Sequence, residues 1–173
     1  TVVQAALVSI LLVAVPLPWL LRSVTDRSGF LPVLAYFGAL GLGYMALEIA
    51  FIQKFMLFLS YPVYAVAVVL TALLLFAGAG SLWAGRLRRT TGQLVPRVVA
   101  GIALTALAYW FMLPRVFAAA AGLSDPLRIG ISLVLLAPLG FLMGVPFPRG
   151  LQEVASKRPG LVPWAWAING CGS

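Results

Sequence analysis

Long apolar stretches alternate with short polar ones along the whole chain. A bilayer core of about 30 Å takes roughly 20 helical residues to cross. By that measure the pattern predicts spans at about Val2–Leu21, Phe30–Ile52, Val63–Ala84, Leu94–Leu113 and Ile129–Val145. The stretch "LVPWAWAINGCGS" at the end reads as the start of another. The expected fold is therefore all-α: a polytopic integral membrane helix bundle of five full spans plus the start of a sixth, in one domain over 1–173.

The connections differ in character. "RSVTDRSG" is a short polar loop, and "GRLRRTTGQLVPR" a basic one. "QKFMLFLSYP" is too short to cross and too apolar for an open loop, so it reads as an interfacial or re-entrant turn, with Pro62 opening the next helix. "PRVFAAAAGLSDPLR" reads as an amphipathic connection, with Ser124 and Asp125-Pro126 marking a helix start. "PFPRGLQEVASKRPG" reads as a loop whose prolines make a rigid exit from the span before it.

Charge gives these spans a direction. Arg22, Arg27, Arg86, Arg88, Arg89, Arg97, Arg149, Lys157 and Arg158 fall on one side, and only Lys54, Arg115 and Arg128 on the other. Nine against three is a positive-inside bias. Loops 22–29, 85–97 and 146–162 are expected to be cytoplasmic. Arg86, Arg88 and Arg89 are a candidate docking surface for anionic lipid or a soluble domain.

Composition agrees with the pattern. Hydrophobic residues make up 62% of the chain and charged residues 9%. A soluble domain carries about 25% charged residues, so the solvent of this chain is lipid. A net charge of +8 would point to nucleic acid in a soluble protein. Here the basic residues sit between apolar runs without interleaved aromatics, which argues against nucleic-acid binding. With one cysteine, Cys171, and no histidine, neither an internal disulfide nor a metal cluster is expected. Cys171 reads as a small packing residue. The chain starts without methionine or a basic n-region and stops where an apolar stretch begins, as expected of a piece of a longer protein.

Glu48 is the residue out of place. It sits within the apolar run "GYMALEIAF", in a chain with four acids in all. A charged residue at the centre of a membrane helix costs about 2.5–3.5 kcal/mol on insertion scales. Helical spacing puts Gly41, Tyr44, Glu48 and Ile52 on one stripe, within about two turns of the outer end of the predicted span. Glu48, Tyr44 and Gln53 form the candidate amine or proton site. The alternative is structural: Glu48 held by a Tyr44 hydroxyl, or paired with Lys54. Gly140 and Gly144, with Gly78 and Ser81, are the candidate helix-packing positions, and a homodimer through Gly140 and Gly144 is one reading. No nucleophile–base pair or Gly-rich phosphate loop is present, so catalysis is not expected from these residues.

Three stretches together resemble a known family. "LGYMALEIAFIQKFMLFLSYPVYAVAVVLTALLLFAGAGSLWAGRL", "APLGFLMGVPFPRGL" and "VPWAWAINGCGS" are similar to the membrane module of bacterial fused spermidine synthase-like membrane proteins. In that family a spermidine synthase-like Rossmann-type domain is joined to polytopic, major-facilitator-like segments. The resemblance covers about Leu40–Leu87 and Ala137–Ser173. The family pattern has His where Tyr61 stands and a smaller apolar residue where Arg149 stands, so no imidazole chemistry carries over to that turn.

What the resemblance implies is a soluble transferase domain in the same polypeptide. That domain would bind S-adenosylmethionine or its decarboxylated form, transfer a methyl or aminopropyl group, and leave this module to anchor it and pass polyamine. Half of a secondary transporter, with Glu48 in its path, and a dimerising structural anchor are the other readings.

Overall fold

A computed structural model describes residues 30–59, 61–87 and 91–172. The chain forms α1 (Phe30–Leu59), α2 (Pro62–Arg86), α3 (Thr91–Ala119), α4 (Asp125–Met143) and α5 (Pro146–Lys157). A 3₁₀ turn at Pro159–Leu161 leads into α6 (Val162–Gly172). The described residues contain no strand.

Among the described residues, four helical stretches are long and apolar enough to cross a membrane: α1, α2, α3 and α4 with α5 continuing it. The expected first span, Val2–Leu21, lies outside the described residues, as do loop 22–29, Arg88 and Arg89. α6 has 11 residues. At about 1.5 Å per residue it reaches about half the depth of a bilayer core.

The apolar pattern located the helices but placed several ends too early. α1 does not stop at Ile52; it runs through Gln53 and Lys54 to Leu59. One exposed polar pair is no breaker. The Lys54 ammonium lies 5.1 Å from the centroid of the Trp110 ring, so its charge is accommodated on the helix surface. On either side of that polar pair, the last turns of α1 bury Phe51, Phe55, Phe58 and Leu59 in the core. The chain breaks only at Tyr61, whose extended backbone (φ −120°, ψ 117°) is what a following proline imposes.

α3 likewise continues past Leu113, carrying Pro114 inside it. A proline in mid-helix leaves carbonyls without their usual donors. Pro114 takes away the N–H that would reach the Trp110 carbonyl, and beside that gap Arg115 donates from Nη1 to the Phe111 carbonyl at 2.7 Å. The expected connection shrinks to 120–124, and Phe117 stacks flat on Phe58 at 4.3 Å. Ser124 does precede α4, though its hydroxyl makes no capping bond.

The largest revision concerns "PFPRGLQEVASK", which is the helix α5 and not a loop. Prolines in a first turn lack an N–H that the helix would leave unbonded anyway, so Pro146 and Pro148 start this helix. α5 is two-faced. Pro146, Arg149 and Gly150 are buried, while Glu153 and Lys157 form an exposed salt bridge at 2.7 Å.

Two parallel pairs, α2 with α4 and α1 with α6, are joined through antiparallel neighbours. α2 and α4 run in the same direction, with Gly140 against Leu73 and Phe76, and Gly144 against Ala77. A Cβ on Gly144 would overlap the Ala77 carbonyl, and one on Gly80 the Phe141 carbonyl. Lipid gives helices no hydrophobic drive to associate, so such close backbone approach supplies the packing. Gly140 and Gly144 therefore pack against α2 of the same chain. α6 runs parallel to α1, from Trp164 edge-on to Phe30 (5.2 Å) up to Gly172 against Gly41. α3 is antiparallel to α4: Gly101 meets Leu142, and the Tyr109 hydroxyl donates to the Leu135 carbonyl.

This topology gathers Arg86, Arg97, Arg149, Lys157 and Arg158 at one end of the bundle and Lys54, Arg115 and Arg128 at the other. Arg149 is not a loop cation, however. It is 4% exposed, and its Nη1 donates to the carbonyls of Leu87 (3.0 Å) and Ala84 (3.4 Å) and to Gln152 Oε1 (3.2 Å). It thus caps the carbonyl end of α2 from α5. At the opposite end Arg128 donates to the Phe58 and Ala121 carbonyls and lies over the Phe58 ring.

Candidate functional site

The stripe on α1 meets a matching stripe on α2. Leu74, Ala77, Gly78 and Ser81 of α2 face Leu40, Gly41, Tyr44, Met45 and Glu48 of α1 across a cavity of about 540 Å³. The end of α4 (Met143, Gly144), the start of α5 (Phe147, Pro148) and Asn169 of α6 close its wall. Small residues make the space. A Cβ on Gly78 would meet nothing within 4 Å, because that side of α2 borders open volume. Gly78 therefore sits at no helix contact; the close approach on α2 belongs to Gly80. Gly144 does both jobs, touching α2 and bordering the cavity.

The lining is apolar apart from the Glu48 carboxylate, the Tyr44 and Ser81 hydroxyls and the Asn169 side chain. A pocket of about 300–1,000 Å³ with a few converging polar groups is the usual form of a small-molecule site. Glu48 is half-buried and makes no hydrogen bond or ion pair among the described residues. The Tyr44 hydroxyl does not donate to it, and Lys54 is engaged with Trp110. With α1 extended to Leu59, Glu48 stands 11 residues from its C-terminal end. That is about three turns, so the carboxylate is nearer the middle of the helix than its outer end.

Gln53 does not belong to this site. Five residues past Glu48, it is turned about 140° round the helix and is exposed outside the cavity. Ser81, Asn169, Met143 and Phe147 are the additions. Ser81 reads in the sequence only as a small residue, and Asn169 as a helix-packing position or a break near the membrane face. Met143 and Phe147 carried no sequence signal, since nothing local says which way an apolar residue faces. Cys171 is exposed on α6 and not packed.

The remaining described acids lie elsewhere. Asp125 borders a smaller cavity of about 180 Å³ with Leu59, Tyr64, Pro126 and Ile129 at the far end of α4, and Glu153 is on α5. No group of three His, Cys, Asp or Glu side chains assembles among the described residues. A scan against family models and searches of curated proteins and of solved structures each returned no match to this chain.

Proposed function

We propose that the chain is the membrane module of a spermidine synthase-like fusion protein and that it holds an organic cation at Glu48. The observation that carries the cation site is one carboxylate, and no basic side chain, among the described residues that line a cavity of about 540 Å³. An intramembrane acid turned toward a cavity is by default a candidate for a substrate or proton path. The fusion context draws its support from the residue runs Leu42–Leu87, Ala137–Leu151 and Val162–Ser173. In that context the module anchors a soluble S-adenosylmethionine-type transferase domain. Its basic end, with Arg86, Arg97, Lys157 and Arg158, faces the cytoplasm of a bacterial inner membrane.

Two experiments test the two halves of the reading. Organic ammonium ions are titrated into the detergent-purified chain while its melting temperature is followed. A ligand that binds only the folded state raises that temperature with concentration. The rise is expected in the parent chain and absent in Glu48→Gln; no rise with any amine sinks the cation site. The fusion is tested by the intact mass of the native polypeptide. A mass far above 18.4 kDa, with a protease-releasable piece that binds S-adenosylmethionine, supports it, and a mass near 18.4 kDa removes it.

The position of Glu48 near the middle of α1, where several helices meet, favours a second reading: half of a secondary transporter. Amine flux into proteoliposomes, lost in Glu48→Gln, distinguishes transport from binding alone.

A further inference from the structure

We infer that the Glu48 cavity takes a singly charged ammonium ion with an apolar body, and not a polyamine. The inference rests on the cation-site reading above and narrows its ligand. Charge count is the first ground. One carboxylate lines the cavity, and the other described acids, Asp125 and Glu153, belong to a separate cavity and to the surface of α5. An ammonium group in a low-dielectric site needs an opposite charge or several oxygen acceptors. Glu48 with the Tyr44 and Ser81 hydroxyls offers acceptors for one such group. The second and third charges of a polyamine would find no further carboxylate among the described residues: beyond the neutral Asn169 amide they would lie against Leu40, Leu74, Met143 and Phe147, whose side chains offer no acceptor.

Volume and wall chemistry give the second ground. A proton or a bare metal ion leaves most of 540 Å³ unfilled, and one carboxylate is far short of an oxygen cage. An apolar body of drug-like size fills that space against leucine, methionine and aromatic side chains. Met45 and Met143 border it, and methionine adapts to irregular shapes better than branched side chains do. The Phe147 ring adds a π face that favours a cation joined to a hydrocarbon over a fully hydrated one.

The test is calorimetric titration of the detergent-purified chain with three probes: 2-phenylethylammonium, the matching neutral alcohol 2-phenylethanol, and spermidine. The ammonium ion is expected to bind at least about tenfold tighter than either of the others. Glu48→Gln should erase its advantage over the alcohol, and Glu48→Asp should keep most of it. Spermidine binding as tightly as the monoamine, and lost in Glu48→Gln, overturns the inference while the cation site stands. Alcohol and ammonium binding equally, or no Glu48-dependent binding of any amine, overturns both. The comparison of the three probes on the parent chain needs no variant to fold.

Discussion

Arg149 on α5 donates to the carbonyl of Leu87 at the end of α2, across 3.0 Å. The same Nη1 also reaches Gln152 and the Ala84 carbonyl, which already accepts from the Leu87 N–H, so a buried guanidinium closes the carbonyl end of α2. α5 is thereby fixed against α2, and Phe147 and Pro148 are held in the cavity wall.

Arg149→Ala is expected to destabilise the chain by about 2–3 kcal/mol, the worth of a buried hydrogen bond from a charged donor together with the lost cap. Arg149→Lys should recover only part, since an ammonium cannot spread donors as a guanidinium does. Unfolding in mixed micelles by SDS titration measures both. Equal stability of Arg149→Ala and the parent chain would mean that these contacts hold nothing together.

Two glycines that look alike in sequence should behave in opposite ways. Gly144→Ala pushes a methyl group into the Ala77 carbonyl and forces α2 and α4 apart, at about 1–3 kcal/mol. Gly78→Ala meets open volume, and the gain in helix propensity makes it neutral or stabilising by up to about 1 kcal/mol. The same SDS titration reads the pair; a Gly144→Ala chain as stable as Gly78→Ala contradicts the α2–α4 contact.

That contrast also shows what the sequence could carry. Helix positions were legible because a bilayer demands some 20 apolar residues and tolerates few others. Helix ends were not, because Gln53, Lys54 and Pro114 resemble breakers locally and are kept helical by partners far along the chain, such as Trp110, or by a side chain such as Arg115. The site was half legible. Tyr44 and Glu48 share a stripe by periodicity alone, which also places Gln53 off it. Whether Gly78 or Gly80 touches a neighbour depends on how α2 is rotated against α4, and no pattern within α2 encodes that. Arg149 read as a loop cation because proline-flanked "PFPRG" gives no hint that its arginine turns inward.

The Tyr36 hydroxyl donates to the Pro146 carbonyl at 2.7 Å, and its ring fills the space a side chain on Gly150 would need. Tyr36→Phe removes the bond and keeps the ring, so a loss of about 1 kcal/mol is expected. Gly150→Ala displaces the ring and should cost more than Tyr36→Phe. The reverse order in SDS unfolding would separate α5 from α1 at this point.

The topology makes a prediction about sidedness. Tyr61, between α1 and α2, and Ser156, near the end of α5, are both exposed and lie at opposite ends of the bundle. Cys171 is the only cysteine and is itself exposed, so single-cysteine variants are built on Cys171→Ser. Tyr61→Cys and Ser156→Cys in intact cells should differ toward a membrane-impermeant maleimide, with Tyr61→Cys labelled and Ser156→Cys labelled only after lysis. Reversed labelling would keep the helix order and invert the orientation inferred from the basic end. Labelling of both from outside would contradict the crossing of α2, α3 and α4, because an odd number of spans must separate the two positions.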